Sequence, residues 1–377
     1  MNYFIQILPI ILGLIVLLSV IWIIFPAPSY YVWLYSVAVS EWSLWFGGLA
    51  LFGIFSALVG YIFYKNGAIL LASIIIGGIG FLISLYPFFT SISAARENGV
   101  SLSFGQYFGA IFGKKSDADP FQTRVYERDF KVDIYLPKDK NLRQGASLIV
   151  VHGGSWSGGE RNDFPQWNQW FADNGYAVFD IDYTLVQPNY DLAVGDVKSA
   201  VKWVKNHAAE FEISPDKIVL LGRSAGGHLA LISAYSANNE EKVCAVISIY
   251  APTNLIWAYD NPANPYVIDG AQTLSSFLGG SPHESDELRK RYLSASPNEN
   301  INAQTPPTLL FHGGKDQLVR LENMYFVAEK LNASNVTNQT VYIPYGQHGF
   351  DYNSNGWGSQ ITKSVMLKFL AENTQIK

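Results

Sequence analysis

Long apolar stretches without charged residues occupy the first quarter of the chain and predict helices that cross a membrane. Three such stretches run over residues 4–25, 42–64 and 68–86. A helix over the first would be about 33 Å long at 1.5 Å per residue, enough for a hydrocarbon core of about 30 Å. Residues 1–95 are therefore predicted to form a transmembrane region of three helices. A cleaved signal peptide is the alternative for the first stretch, but it needs a basic start, and no Lys or Arg precedes residue 65.

The pattern of apolar and polar positions changes after about residue 120. Residues 130–136 alternate between the two kinds, which is typical of a half-buried strand near a sheet edge. Short, mainly apolar runs, typical of strands buried on both faces, follow at 148–151, 176–182, 217–222, 244–250, 308–313 and 340–344. Helical patterns separate them at 194–204, 225–235, 321–331 and 361–370. This alternation predicts an α/β domain over residues 121–377, with a mostly parallel sheet and helices on both faces.

Residues 96–120 connect the two parts. An apolar stripe of helical period within them predicts a short helix lying in the membrane interface; its members are Phe104, Tyr107, Phe108, Ile111 and Phe112. Three glycines in the same stretch lower its intrinsic helicity by about 1 kcal/mol each relative to alanine. An irregular linker therefore remains the alternative.

Charge separates the two parts and excludes one class of partner. The chain has 26 Lys and Arg and 31 Asp and Glu, yet only Glu41 and Lys65 fall within the first 95 positions. The net charge of −5 and the absence of a Lys/Arg cluster argue against nucleic acid, whose phosphates need a concentrated basic surface. The lipid bilayer is the partner that the N-terminal part requires, and the sequence leaves the oligomeric state open.

Three spans would place the N-terminus and the C-terminal domain on opposite sides of the membrane. Basic residues flank the last span on the domain side, namely Arg96, Lys114 and Lys115. By the positive-inside rule they favour a multi-pass protein with a cytoplasmic domain. Glycosylation triplets begin at Asn332, Asn335 and Asn338 and matter only if the domain lies in a glycosylating lumen. The opposite orientation is therefore the alternative.

The strongest chemical signal is a serine in a glycine-rich turn. Ser224 lies in the segment Gly-Arg-Ser-Ala-Gly at 222–226, directly after a predicted strand and at the start of a predicted helix. A turn between strand and helix lifts the hydroxyl clear of the sheet, and glycines permit the strained backbone and close packing that this requires. Ser224 is therefore the predicted nucleophile; a serine that only caps the helix is the alternative.

A serine hydroxyl needs a base within hydrogen-bond reach and a third group that orients the base. His348 lies just past an apolar strand, where a loop can present its ring to the serine, and Asp316 lies just past another. The other histidines are His152, His207, His228, His283 and His312. The predicted catalytic residues are Ser224, Asp316 and His348; a helix-capping Asp316 and a structural His348 are the alternatives.

A tetrahedral intermediate also needs backbone N–H donors directed at its oxyanion. Gly153 and Gly154 directly follow the strand at 148–151, and glycines let the backbone approach a substrate closely. We predict an oxyanion hole made by the amides of Gly153, Gly154 and Ala225. A phosphate-binding loop is the rival interpretation, but the GxxxxGK[ST] pattern is absent.

Four motifs appear in the order and spacing of a known superfamily: His-Gly-Gly-Ser-Trp at 152–156, Gly-Arg-Ser-Ala-Gly-Gly-His-Leu-Ala at 222–230, His-Gly-Gly-Lys-Asp-Gln-Leu-Val at 312–319 and Gly-Gln-His-Gly-Phe at 346–350. Residues 124–372 resemble an α/β-hydrolase, in the carboxylesterase branch related to hormone-sensitive-lipase-type esterases and to the bifunctional feruloyl and acetyl xylan esterase-like group. Ser155 departs from the pattern, because many relatives carry a third glycine there.

The sequence therefore predicts a membrane-anchored serine hydrolase that cleaves a small-molecule or lipid ester, with no cofactor and no metal. An aromatic-rich insertion at about 252–306 is expected to form a lid or acyl pocket. An acyltransferase, a thioesterase or a peptidase on the same fold is one alternative. A membrane scaffold whose hydrolase-like domain only binds is the other.

Overall fold

The computed structural model describes residues 2–109 and 118–374, and four helices form its N-terminal part. They are α1 (Asn2–Val20), α2 (Tyr30–Glu41), α3 (Ser43–Tyr64) and α4 (Gly67–Glu97). The long helices α1, α3 and α4 pack against one another, and the short α2 connects α1 to α3 at one end of this bundle. The N-terminal part is therefore a three-helix bundle with one additional short helix.

Glycines bring the three helices of the bundle close together. A Cβ added at Gly80 would lie 3.0 Å from Val16 Cγ1, and one added at Gly77 would lie 3.1 Å from Ile54 Cγ1. In lipid no hydrophobic effect drives helices together. Small residues there let helix backbones approach closely and so increase the van der Waals contact between them. Gly77 and Gly80 thus serve packing within the chain, whereas a Cβ added at Gly48, Gly60 or Gly78 would meet nothing among the described residues within 4 Å.

Two helices, α3 and α4, are long and apolar enough to cross a membrane, with mean hydropathy of 2.0 and 2.5. The described apolar part of α1, together with the turn that follows it, covers residues 7–23 and is shorter than either of these two helices. The prediction of three spans is therefore not confirmed by length and composition. Only 22 % of the most apolar window of each long helix is buried, so most of its apolar surface faces outward.

The connection between bundle and domain differs from the prediction. Helix α4 continues to Glu97, well past the expected end at residue 86, and its last turns pack on the domain, where Ala94 and Ala95 are buried in the core. The short helix expected in the connecting segment corresponds to α5 (Phe104–Gly109), but this helix packs on the domain. Tyr107 of α5 is buried and stacks on Trp357, with ring centroids 4.3 Å apart. Ile111, Phe112, Lys114 and Lys115 lie outside the described residues.

The domain contains one eight-stranded sheet. Its strands are β1 (Gln122–Glu127), β2 (Phe130–Tyr135), β3 (Ser147–Val151), β4 (Ala177–Ile181), β5 (Ile218–Arg223), β6 (Ala245–Ile249), β7 (Thr308–Gly313) and β8 (Asn338–Ile343). Their order is β1-β2-β4-β3-β5-β6-β7-β8. The pairs β1–β2 and β2–β4 are antiparallel and all the others are parallel. The sheet agrees with the prediction, except that the sequence analysis does not predict strand β1.

Helices cover both faces of the sheet. They are α6 (Pro165–Asp173), α7 (Tyr190–Asn206), α8 (Ala225–Tyr235), α9 (Leu255–Asp260), α10 (Gly270–Leu278), α11 (Asp286–Ala295), α12 (Glu322–Ala333) and α13 (Trp357–Thr374). Ile149 and Val151 of β3 join the core under α7, α8 and α12, while Leu148 and Val150 join the core under α6 and α13. The alternation of side chains along a strand thus divides the interior into two cores.

Glu41 is a charged residue of the N-terminal part that the domain buries. It ends α2, and its side chain is 1 % exposed. Its backbone carbonyl accepts a hydrogen bond from Asn353 Nδ2 at 3.4 Å. Burial raises the pKa of the Glu41 carboxyl well above its ordinary value. Glu41 is therefore part of the contact between α2 and the segment that follows His348.

Trp357 should be a principal stabiliser of the contact between the N-terminal part and the domain. It is fully buried and its ring contacts those of Phe88, Phe104 and Tyr107. We expect Trp357→Ala to lower the free energy of unfolding by about 3–5 kcal/mol, because it leaves a large cavity. Thermal unfolding of the detergent-solubilised chain measures this as a lower melting temperature. Tyr352→Ala, at an exposed position, is the control; equal melting of both variants would contradict the assignment.

Candidate active site

Ser224 occupies a strained turn between β5 and α8. Its backbone has φ 54° and ψ −122°, a region that non-glycine residues rarely adopt. The turn is tight because a Cβ at Gly222 would collide with the carbonyl oxygen of Gly226, and one at Gly226 would collide with the carbonyl oxygens of Val151 and His152. The glycines therefore let β5, α8 and the end of β3 meet, and the serine side chain is left at the floor of a pocket.

The structure brings Ser224, His348 and Asp316 together. His348 Nε2 lies 2.8 Å from Ser224 Oγ, and His348 Nδ1 lies 2.8 Å from Asp316 Oδ2. The three residues come from the turn after β5, the loop after β8 and the loop after β7. Because parallel strands end at the same edge of a sheet, loops far apart in sequence meet there. The geometry is that of a nucleophile, a base and a group that orients the base.

Asp316 is held as a carboxylate although it is buried. Burial by itself would raise its pKa, but the neighbouring His348 and His312 and their hydrogen bonds outweigh burial and lower the pKa of Asp316 below its usual range. The other carboxylate oxygen accepts the backbone N–H groups of Leu318 and Val319, both at 2.9 Å. A fixed negative charge therefore faces His348 Nδ1.

The remaining histidines do not approach Ser224 as bases. His312 Nε2 lies 2.9 Å from the Val319 carbonyl oxygen and 3.3 Å from Asp316. It therefore supports the loop after β7 that carries Asp316, called the acid loop below. His152 Nδ1 lies 2.7 Å from the carbonyl oxygen of Gly153, and burial lowers its pKa. His283 is exposed and pairs with Asp260, and His207 Nδ1 contacts the carbonyl oxygen of Trp203.

Two of the three candidate oxyanion residues, Gly153 and Ala225, lie beside Ser224. A Cβ added at Gly153 would lie 3.4 Å from Ser224 Cβ, so the backbone of this loop runs against the turn. Ala225 is the first residue of α8, where N–H groups have no partner within the helix. Gly154 has φ 113°, and Ser155, where a third glycine is usual, has φ 55°. Ser155 therefore adopts the left-handed backbone that a glycine would adopt freely.

Trp156 fixes the loop that carries these glycines. Its ring stacks on Phe277 at 4.2 Å, its Nε1–H donates to His228 Nδ1 at 3.2 Å, and its carbonyl accepts from Asn189 at 2.8 Å. With Nδ1 an acceptor, His228 carries its proton on Nε2, which donates to the Ala295 carbonyl at 2.8 Å. Burial lowers the pKa of His228 to about 4, so the ring is neutral. His228 thus connects the glycine loop to the insertion.

The predicted insertion, 252–306, contains α9, α10 and α11 and forms a wall of the pocket. The pocket opens to solvent, and this open space is included in its volume of about 580 Å³. Its apolar lining includes Ala258, Pro262, Ile268, Leu274, Leu318 and Val319. Phe277 and Tyr292 of the insertion are core residues, whereas Tyr266 is exposed. Among residues 2–109 and 118–374, no cluster of three His, Cys, Asp or Glu side chains could hold a metal ion.

A buried charge network beside the site was not predicted. Asp351 is fully buried, its Oδ2 lies 2.6 Å from Arg223 Nε, and its Oδ1 accepts from the Tyr250 hydroxyl at 2.7 Å. Arg223 precedes Ser224, Asp351 follows His348 by three residues, and the Tyr250 ring lies 4.3 Å from the His348 ring. The network therefore joins the turn at Ser224, called the nucleophile turn below, to the loop after β8 that carries His348, called the base loop. Its sequence signal is weak: Arg223 lies within the Gly-Arg-Ser-Ala-Gly segment, and Asp351 directly follows the segment 346–350 and precedes further polar residues.

The strand order, the tight turn at Ser224 after β5 and the helices on both faces define an α/β-hydrolase fold. Residues 132–331, slightly more than half of the chain, match the family described as BD-FAE. The chain therefore belongs to the BD-FAE family.

Known relatives and neighbours of this chain carry esterase names. The protein named "Probable carboxylic ester hydrolase LipM" of Mycobacterium tuberculosis (strain ATCC 25618 / H37Rv) is 28 % identical over 263 residues, which are 66 % of this chain and 59 % of that one. Esterase LipQ of the same organism is 28 % identical over 55 % of this chain and 51 % of its own length. The chain thus spans only about half to three fifths of these relatives.

A solved structure, esterase Est2 of Thermogutta terrifontis, is also similar. It superposes with a TM-score of 0.55 at 26 % identity, over 68 % of this chain and 93 % of its own. These similarities support the class of carboxylic ester hydrolases for the domain.

The neutral state of His228 predicts a pH dependence of stability. Because burial lowers the pKa of His228 to about 4, the unfolded chain binds more protons than the folded chain between about pH 4 and its ordinary pKa of about 6.5. Stability is therefore full above about pH 6.5 and falls as the pH is lowered towards 4, by on the order of 3 kcal/mol.

We expect His228→Gln, which does not titrate, to flatten the melting temperature over this pH range. His207→Gln, at a half-buried histidine outside the site, is the matched control and should retain the dependence of the unmodified chain. A His228→Gln profile parallel to that of the unmodified chain would contradict the assignment.

Proposed function

We propose that the chain is a membrane-embedded serine hydrolase that cleaves carboxylic esters through Ser224, His348 and Asp316. The observation that carries this proposal is the pair of 2.8 Å contacts that link Ser224 Oγ to His348 and His348 to Asp316 at the floor of a pocket. The membership of the BD-FAE family and the names of the relatives support ester cleavage. A domain that only binds would not need this alignment.

The geometry supports a two-step reaction. Ser224 Oγ attacks the ester carbonyl while His348 Nε2 takes its proton, and the Asp316 carboxylate stabilises the imidazolium that forms and fixes its tautomer. The amides of Gly153, Gly154 and Ala225 receive the developing oxyanion. His348 then gives the proton to the leaving alcohol oxygen, which leaves an acyl group on Ser224. A water molecule activated by the same histidine releases the acid and restores the hydroxyl.

Removal of the nucleophile should abolish turnover. We expect Ser224→Ala to lower kcat for nitrophenyl esters by at least about a thousandfold and to abolish labelling by a fluorophosphonate probe, because the acyl-enzyme cannot form. Ser236→Ala is the matched control, since this serine lies at the end of α8 and its hydroxyl only donates to the Ile232 carbonyl. Equal activity in Ser224→Ala and the unmodified chain would exclude Ser224 as the nucleophile.

We further propose that α1, α3 and α4 cross the bilayer and that the domain lies on the cytoplasmic side. The support is an apolar outer surface on all three helices, which would be costly in water. Its exposed side chains include Ile11, Leu14, Leu18, Phe52, Phe55, Ile62, Phe63, Leu71, Ile75 and Leu82. The support for the cytoplasmic orientation is the positive-inside rule, because Arg96, Lys114 and Lys115 follow the last span in the sequence, on the domain side, whereas Lys65 lies at the opposite end.

Membrane extraction and protease protection test this topology. We expect the full chain to stay in the membrane pellet after an alkaline carbonate wash, because removing the apolar surface from lipid is unfavourable. In sealed inside-out vesicles, the domain should be digested by added protease, and in right-side-out vesicles it should be protected. Release by carbonate would exclude spanning helices, and the reverse protection pattern would place the domain on the other side.

A further inference from the structure

The rim of the pocket lies in the insertion between α9 and α10. Asn261, Pro262 and Ala263 line the pocket on one side of a short segment, and Ile268 and Gly270 line it on the other. The segment between them, residues 264–267, reaches away from the pocket and contacts the N-terminal part. The entrance of the pocket and the N-terminal helices are therefore neighbours.

Hydrogen bonds fix this contact. Ala27, in the connection between α1 and α2, donates its N–H to Gln317 Oε1 at 2.6 Å, and its carbonyl accepts from Asn264 Nδ2 at 2.8 Å. Asn264 also donates to Gln317 Oε1 at 2.9 Å. All three residues are buried. The contact is thus part of the folded interior, and the pocket rim is fixed to the connection at Ala27.

The same contact reaches the acid and base loops. Gln317 follows Asp316, and its Nε2–H donates at 3.0 Å to Oε1 of Gln347, which precedes His348. Gln317 therefore joins four segments: the connection between α1 and α2, the pocket rim, the acid loop and the base loop. Hydrogen bonds thus link the end of the helix bundle near Ala27 to the loops that carry Asp316 and His348.

A single layer of side chains separates the pocket from this end of the bundle. Ala27, Trp33, Val37 and Val267 form a buried apolar cluster, and Leu318 packs against it. Leu318 also lines the pocket. An apolar group in the pocket would therefore lie beside the α1–α2 connection.

Exposed aromatic side chains belong to the segments that meet at this contact. Tyr31 of α2 is 81 % exposed and Tyr266 of the segment 264–267 is 78 % exposed. Phe25 of the α1–α2 connection and Tyr30, whose ring lies 5.4 Å from that of Trp33, are exposed as well. Aromatic rings at the end of a membrane helix favour the depth of the lipid headgroups. If α1 and α3 span the bilayer, this end of the bundle, and the pocket rim with it, lies at the membrane surface.

We propose that the pocket takes its ester from the bilayer surface, so that the substrate class is a carboxylic ester that partitions into lipid. The ester enters beside Tyr266 and the connection at Ala27, and its apolar arm occupies the lining formed by Ile268, Leu274 and Leu318. This inference rests on the proposed ester hydrolysis and membrane insertion and adds where the substrate comes from.

The experiment uses the full-length chain reconstituted in phosphatidylcholine vesicles. Two fluorogenic probes are compared, methylumbelliferyl palmitate dissolved in the vesicle membrane and methylumbelliferyl acetate in the water. The mole fraction of the palmitate in the membrane is varied at constant bulk concentration by adding empty lipid. Tyr31→Ser and Tyr266→Ser are tested beside Leu192→Ser, a control at an exposed apolar residue of α7 that does not line the pocket. Fluorophosphonate labelling of Ser224 gives the active fraction of each sample.

We expect the rate on the palmitate to follow its mole fraction in the membrane. Both tyrosine variants should lower kcat/KM for the palmitate about tenfold, the effect of losing about 60 Å² of apolar contact with the entering ester, and change the acetate rate less than about twofold. Leu192→Ser should leave both rates unchanged. Because rates are normalised to labelled Ser224, partial misfolding of a variant does not affect the comparison.

Two results would overturn the inference while leaving ester hydrolysis intact. One is cleavage of the acetate but not of the membrane-dissolved palmitate. The other is a palmitate rate that follows bulk concentration and is equal in the tyrosine variants and Leu192→Ser. If the proposed ester hydrolysis through Ser224 is itself wrong, the result differs from both of these. Neither probe is then cleaved, and Ser224 is not labelled.

Discussion

The turn at Ser224 requires three chain segments to approach more closely than side chains permit. Gly222 and Gly226 touch each other's backbone, and Gly226 also touches the carbonyl oxygens at the end of β3. Since the candidate oxyanion loop begins where β3 ends, this contact sets the position of Gly153 relative to the serine. The backbone strain at Ser224, with φ 54°, is tolerated because the sheet and α8 hold both sides of the turn. The position of every other site residue is defined relative to this turn.

Buried charges are arranged around the turn in pairs that satisfy each other. Asp316 is compensated by two backbone N–H groups and two histidines, and Asp351 by Arg223 and Tyr250. A buried carboxylate without such partners would take up a proton and could no longer orient His348. Both networks also join loops that follow different strands. They therefore hold the nucleophile turn, the acid loop and the base loop in one geometry.

The N-terminal helices are continuous with the domain. The last turns of α4 and the short α5 pack on α13, and the connection at Ala27 is hydrogen-bonded to the loop after β7. Burial of Glu41 in the same junction follows from this packing, because a carboxyl can be buried there in its neutral form. The membrane anchor, if it spans as proposed, is thus attached rigidly, and it sets the distance of the pocket from the bilayer.

Periodicity and local motifs determined much of this protein from the sequence. The central strands are short apolar runs and α8 begins at Ala225 as predicted, because burial on both faces and the strand-turn-helix motif leave local signals. Ser224, Asp316 and His348 were predicted as a set, since each follows a strand of one parallel sheet. β1 gave no such signal, because an edge strand is half exposed, and the end of α4 was misjudged because its packing partners lie far away in α13.

Only the tertiary structure decided which distant side chains meet. The pairs Arg223–Asp351 and Ala27–Gln317 are separated by more than a hundred residues and carry no local pattern. The same holds for the assignment of His312 to the acid loop and of His228 to Trp156, which the sequence offered only as further histidines. The physical reason is that a local pattern reports which residues are buried, whereas the partner that satisfies a buried polar group is set by where the strands end in space.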